Sequence, residues 1–215
     1  MNRHGTVIFD FDGTMLYTVK DLAGAVNHAL ERLGYPTHSV ERVQSFVGNG
    51  VSTLVARAIP GGRENPDYDR ALAYFKDFYA AHSMDNTAPY PGIQEMLWTL
   101  KAQGRKLAIV TNKYQTAAEA LRRHFFADTV PLIVGDLEGR ERKPAPDAVY
   151  VAMAELGAER AGCVYVGDTE VDQQTAANAG IDFAACSWGY RSREQLEALD
   201  IPLIVDTPME LPDLV

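Results

Sequence analysis

The stretch Thr6-Val7-Ile8-Phe9-Asp10-Phe11-Asp12-Gly13-Thr14 decides how the rest of the chain is read. Its first four residues are apolar or β-branched, the pattern of a short buried strand. The run stops at two carboxylates one residue apart, followed by a Gly-Thr turn. Side chains at i and i+2 of an extended chain point the same way, so Asp10 and Asp12 are expected to share one space. In open α/β sheets the carboxyl ends of strands are where ligands bind. Two anions placed together there repel unless a cation lies between them or one carries a proton. Mg²⁺ takes hard oxygen ligands, and a carboxyl of raised pKa serves as a general acid. Taken alone, the string reads equally well as an ordinary turn after a strand.

Downstream, the pattern turns helical. Thr18-x-x-Asp21 has the form of a capping box, and Leu22, Val26, Ala29, Leu30 and Leu33 follow at helical spacing before Gly34 and Pro36. Further helices are expected at Val51–Ala58, stopped by Pro60-Gly61-Gly62, and from Asn65-Pro66 through Tyr79. No strand is expected between residues 16 and 85. From Pro89 the chain alternates: helices around Ile93–Leu100, Gln115–Phe125, Pro146–Leu156 and Val171–Ala179, strands at Lys106–Val110, Leu132–Val134, Val164–Val166 and Asp182–Cys186. Ser192-x-x-Gln195 caps one more helix, and Ile201–Val205 reads as an edge strand. Such alternation implies an α/β fold, a doubly wound, mostly parallel Rossmann-like sheet. The expected division is a core of residues 1–15 plus 87–215, interrupted by an all-helical domain over 16–86.

The 215 residues carry 20 basic and 29 acidic side chains, a net charge of −9. That balance argues against nucleic-acid or anionic-membrane partners, although local cations or a metal can reverse the field inside a pocket. No apolar run is long enough to span a bilayer. Asp10 and Asp12 interrupt the N-terminus before a signal-peptide core is complete. Cys163 and Cys186 border apolar runs and are expected as buried free thiols, as in a reducing cytoplasm. The five histidines show no metal-ligand spacing.

Three other strand ends carry polar residues. Leu107–Val110 ends in Thr111-Asn112, a hydroxyl and an amide where a turn can offer donors to an oxyanion; a plain helix cap explains them as well. Lys113, two residues on, reads as a surface charge within reach of that site. Lys143-Pro144-Ala145-Pro146 offers a lysine on a stiffened loop, a point charge for phosphate, or simply a solvated lysine beside Arg140 and Arg142. Val164–Val166 ends in Gly167-Asp168-Thr169-Glu170-Val171-Asp172, whose Asp168 and Asp172 fall on one helix face and also suit the helix dipole. Parallel strands bring all these ends to one edge of the sheet. Four carboxylates, a lysine and a hydroxyl gathered there have the composition of a Mg²⁺-plus-phosphoryl site.

Asp-x-Asp-Gly-Thr, Thr-Asn, Lys-Pro and Gly-Asp-Thr-x-x-Asp, in that order from Asp10 to Asp172, resemble the haloacid dehalogenase superfamily of phosphohydrolases, in the branch with a helical cap after the first strand. Phe46-Val-Gly-Asn-Gly50-Val and Asp21-Leu-Ala-Gly-Ala-Val-Asn resemble the phosphoglycolate phosphatases and their near relatives. The resemblance implies Asp10 as nucleophile and Asp12 as general acid and then base, its pKa held up by neighbouring carboxylates. It implies Mg²⁺ bound by Asp10, the Asp12 main chain and Asp168, with Asp172 acting behind them. It also implies phosphate contacts from Gly13, Thr14, Thr111, Asn112 and Lys143. Asp12 argues against dehalogenation, because a halide leaves without a proton whereas an ester oxygen leaves badly without one. In the insert, Gly48-Asn49-Gly50 opens a helix and is either an anion-binding turn for a small carboxylated phosphoester or a flexible turn; Arg57 either assists it or is solvated. The expected substrate is a small phosphorylated metabolite, 2-phosphoglycolate first, and the expected state a monomer or weak homodimer. A phosphosugar mutase or pyrophosphatase could use the same site. Phospho-accepting receiver switches gather similar residues, but on a different strand and without a helical insert.

Overall fold

The computed structural model describes residues 4–215. Residues up to Leu16 together with Pro89–Val215 form one compact unit, and Tyr17–Ala88 form a second.

The first unit is built on a six-stranded parallel sheet. Its strands are β1 (Thr6–Phe9), β4 (Lys106–Tyr114), β5 (Leu132–Asp136), β6 (Cys163–Gly167), β7 (Asp182–Cys186) and β8 (Ile204–Val205), in the order β5-β4-β1-β6-β7-β8. Alternation along the strands sorts their side chains onto two faces. Val7, Phe9, Leu107, Ile109, Val164 and Val166 meet helices α5 (Ile93–Ala102), α6 (Gln115–Phe126) and α10 (Leu211–Leu214). Ile8, Ala108, Val110, Cys163 and Tyr165 meet α7 (Asp147–Leu156) and α8 (Glu170–Ala179). A strand apolar on both faces requires cover on both, which explains why the central runs are continuously apolar. The chain leaves β1 toward β4 and β5 on one side and returns to β6, β7 and β8 on the other. The end of β1 is therefore the topological switch point, where open sheets leave a crevice.

The second unit holds α1 (Val19–Leu33), α2 (Val40–Gln44), α3 (Val51–Ala58) and α4 (Tyr68–His82). Leu22, Val26, Ala29 and Leu30 of α1 bury one face with Val43, Leu54, Val55, Ala71, Phe75 and Tyr79. Gly34, at φ +78°, ends α1 in the left-handed conformation that glycine adopts without strain. Its two connections, β2 (Leu16–Tyr17) and β3 (Ala88–Pro89), pair as a short ribbon.

Several expectations need correction. The α2 turn was not expected, and five residues are too few to show periodicity. Thr18 makes no side-chain cap bond to α1, its backbone being helical (φ −106°, ψ −8°) rather than extended as a cap requires, and the Asp21 carboxylate is engaged by Thr87 instead of by Thr18. Helix α4 starts at Tyr68 rather than Asn65, whose side chain instead accepts from Asp67 N at 2.8 Å. Strand β4 does not stop at Val110. It continues to Tyr114 through a register shift against β5, so Thr111 and Asn112 lie in an irregular strand and not in a helix-initiating turn. Among expected details that do form are the Ser192–Gln195 capping box and the two buried free thiols.

Candidate active site

Asp10 follows β1 directly, its N–H donating to Val166 O at 2.8 Å, so its main chain continues the parallel ladder. Its side chain is buried, and one oxygen accepts from Lys143 Nζ at 2.7 Å. Lys143 Nζ also reaches Asp172 Oδ1 at 2.7 Å and the Tyr165 hydroxyl at 3.0 Å. Tyr165 hands its own proton to Val110 O at 2.8 Å. One ammonium is thus shared by two carboxylates and a phenol, all of them buried. A buried charge is tolerated only when partnered in this way. The lysine's main chain is fixed too: Asn112 Nδ2 donates to Lys143 O at 3.1 Å and Asn112 Oδ1 accepts from Lys143 N at 2.9 Å. Asn112, expected among the phosphate ligands, commits its side chain to that clamp.

Asp168 directly follows β6 and is wholly buried. It accepts from Thr14 Oγ1 at 2.9 Å and from Tyr190 N at 2.7 Å. Asp172 opens α8 through a reciprocal cap with Thr169: its Oδ2 accepts from Asp168 N, Thr169 N and Thr169 Oγ1. Asp172 therefore caps α8 with one oxygen while its other oxygen accepts from Lys143. Space around these groups is reserved by glycine. A Cβ on Gly13, which sits at φ +93°, would lie 2.5 Å from Asp168 Oδ2; one on Gly189 would lie 2.3 Å from Asp168 Cβ, and one on Gly167 2.3 Å from Asp172 Cβ.

Carboxylate oxygens of Asp10, Asp168 and Asp172 all lie within 4.8 Å of one another. Burial, and then the charge of Asp172, raise the pKa of Asp10 well above the usual carboxylate range. The same two causes, in the same order, push Asp168 up to about 7. Burial tends to lower the Lys143 pKa, but the charges of Asp10 and Asp172 outweigh it and hold the ammonium firmly protonated. When ionised, three carboxylates facing one lysine carry an excess of buried negative charge, which the raised pKa values reflect. This hard-oxygen donor set fits a small divalent cation such as Mg²⁺.

Asp12 stands apart from that cluster. The strand ends at Phe9, and the chain turns so that Asp12 forms an isolated bridge with Leu16. The regular alternation of an extended chain therefore stops at Phe9, and Asp12 is not among the three carboxylates gathered within 4.8 Å of one another. Asp12 pairs with Lys113, whose Nζ lies 2.9 and 3.0 Å from its two oxygens. Lys113 is buried, which corrects its reading as a surface charge. Thr111 is buried beside it, accepting from Lys113 N at 3.2 Å.

Sequence reading missed Tyr165, Gly189 and Tyr190, none of which belongs to a polar string at a strand end. In the second unit, Gly48 (φ +123°) and Gly50 (φ +78°) flank Asn49, and Gly50 caps α3. Arg57 donates to Phe46 O at 2.9 Å, fastening the segment that leads into this turn.

A sequence profile described as haloacid dehalogenase-like hydrolase matches residues 7–186. A phosphoglycolate phosphatase of Chromobacterium violaceum is 35% identical over 97% of this chain and 95% of its own. One from Pseudomonas putida is 35% identical over 93% of this chain and 75% of its own. Among solved structures, a Lactobacillus delbrueckii subsp. bulgaricus protein provisionally named a phosphoglycolate phosphatase superposes with a TM-score of 0.94 at 36% identity, covering 98% of both chains. CbbY from Rhodobacter sphaeroides, solved in complex with phosphate, gives a TM-score of 0.74 at 25% identity over 97% of this chain and 96% of its own.

Proposed function

This chain belongs to the haloacid dehalogenase-like hydrolases and is a phosphoric monoester hydrolase, and from that premise we propose that it is a Mg²⁺-dependent phosphatase of small phosphate esters working through an aspartyl-phosphate, with 2-phosphoglycolate as its first candidate substrate. The observation that carries the reading is the convergence of Asp10, Asp168 and Asp172 at the end of β1, two of them, Asp10 and Asp172, on the Lys143 ammonium. The substrate choice is supported by relatives of that name.

In this reading Asp10 attacks phosphorus, forming a bond to one carboxylate oxygen as the ester P–O bond breaks. Asp12 gives its proton to the departing alkoxide oxygen, then takes one from the water that attacks the phosphorylated Asp10, which frees phosphate and restores both carboxyls. Lys143 and Thr111 hold the phosphoryl oxygens, where positioning and charge stabilisation supply most of the rate. Gly13 and Thr14 form the turn that keeps Asp168 in place. Asp10 and Asp168, with the Asp12 carbonyl, would hold the metal, while Asp172 orients them through Lys143 and the Asp168 N–H. Bound there, Mg²⁺ would neutralise charge on the transferring group and keep Asp10 ionised. To the helical insert we assign exclusion of water and choice of substrate, with Gly48, Asn49 and Gly50 as its candidate contacts.

Phosphate release from 2-phosphoglycolate, with Mg²⁺ present, tests the scheme. Asp10→Asn is expected to abolish turnover while leaving the protein folded; turnover at the wild-type rate would reject Asp10 as nucleophile.

A further inference from the structure

We propose that Lys113 determines specificity at this site, its ammonium recognising a carboxylate carried on the leaving alcohol beside the ester oxygen. The proposal rests on the reading above for one assignment, that Asp12 faces the ester oxygen.

The two lysines of the site pair with different aspartates. Lys143 serves Asp10 and Asp172, whereas Lys113 serves Asp12. If Asp10 is the nucleophile and Asp12 meets the leaving group, then Lys113 is the cation of the leaving-group side. Its distance from both oxygens of Asp12 puts it one hydrogen bond from the atoms that touch the ester oxygen. In a glycolate leaving group the carboxylate carbon is only two bonds from that oxygen. Without Lys113, such a substrate would bring its carboxylate up against the Asp12 carboxyl group with no cation beside it, and once Asp12 has given its proton to the leaving oxygen, like charges at that range repel. With it, the arriving anion meets a compact point charge.

Lys113 is also built in rather than merely nearby. Its side chain is 4% exposed, so it is no solvated lysine, and the pair reaches the surface through Asp12, at 15%. The register shift between Val110 and Tyr114 re-aims this part of β4. Strand β5 crosses so closely that a Cβ on Gly135 would lie 2.7 Å from Lys113 O. The irregular segment thus sets Thr111 and Lys113 side by side, while Asn112 between them clamps Lys143.

The test compares kcat/KM of the Mg²⁺-loaded enzyme for 2-phosphoglycolate, ethyl phosphate and 2-aminoethyl phosphate, whose leaving groups are similar in size and differ in charge. The wild type should prefer the carboxylated ester to ethyl phosphate by about 10- to 100-fold, the worth of one hydrogen bond between charged groups, with the amine poorest. Lys113→Met should bring the carboxylate-to-ethyl ratio close to unity, and Lys113→Arg should keep it within about threefold. If the wild type prefers the carboxylate and Lys113→Met keeps that preference, the proposal is overturned and the carboxylated substrate stands. A ratio lost equally in the methionine and arginine variants assigns it to packing, and also overturns the proposal. A wild type indifferent to the carboxylate rejects the substrate reading itself. Should Lys113→Met fail to fold, the wild type still decides, because an amine accepted as well as ethyl phosphate is incompatible with a cation at that position.

Discussion

The sheet edge of the first unit and the helical insert spend their buried polar groups in opposite ways. At the sheet edge, Asp10, Asp168, Asp172, Lys113 and Lys143 are buried together, with charges balanced only in part. In the insert, the buried polar residues among those described are Thr18, Asp21 and Thr87, all near its two connections to the rest of the chain. Asp21 accepts there from Asn86 N, Asn86 Nδ2, Thr87 N and Thr87 Oγ1, all neutral donors between 2.8 and 3.0 Å. One region gathers three buried carboxylates on a shared lysine and neighbouring donors, a donor set that fits a cation; the other satisfies its single buried carboxylate by neutral hydrogen bonds. The first arrangement suits chemistry, and the second fastens a loop to a helix.

Measured stabilities can break this contrast. Lys143→Met removes the ammonium shared by Asp10 and Asp172, and is expected to destabilise the protein by about 3–5 kcal/mol in urea unfolding, the cost of orphaning buried charge. A loss under 1 kcal/mol would mean that the carboxylates need no resident cation. Next in size is the effect of Mg²⁺ itself. Asp168 has its folded-state pKa raised from 3.8 to about 7, so without metal its contribution is most favourable below about pH 4 and is lost as pH rises through about 7. Mg²⁺ competes with those protons. At about 100 times its Kd it should add about 2–3 kcal/mol near pH 8 and much less near pH 5, read as the shift in Tm. An equal shift at both pH values would place the ion elsewhere.

Asp21→Ala strips acceptors from Asn86 and Thr87 and should cost about 1–3 kcal/mol, with kcat changed far less than in Lys143→Met. A collapse of kcat with unaltered stability would instead tie Asp21 to the chemistry. At the small end, Arg70→Ala removes a surface pair whose arginine is 60% exposed, and should change stability by less than about 1 kcal/mol.

Much of the fold was legible because β1 and β6 are buried, largely apolar runs that stop at charged or small residues. The end of β4 was not legible. Thr111, Asn112, Lys113 and Tyr114 carry no periodic pattern, and only pairing with β5 keeps them extended. The site divides along the same line. Asp10, Asp168, Asp172 and Lys143 stand at strand ends or in a proline-bound loop and could be named from their neighbours in sequence. Tyr165 lies within an apolar strand, and Gly189 and Tyr190 lie in a loop with no polar string, so nothing local marked them.

The amino-acid order by itself determined which segments become buried parallel strands and which carboxylates end them, because strand formation and its termination follow from residues adjacent along the chain. Only the tertiary structure decided which cation each carboxylate receives. Lys113 and Asp12 are 101 positions apart, and Lys143 and Asp10 are 133. Ion pairs at those separations are set by strand order and by the shifted register of β4, neither of which any local stretch encodes.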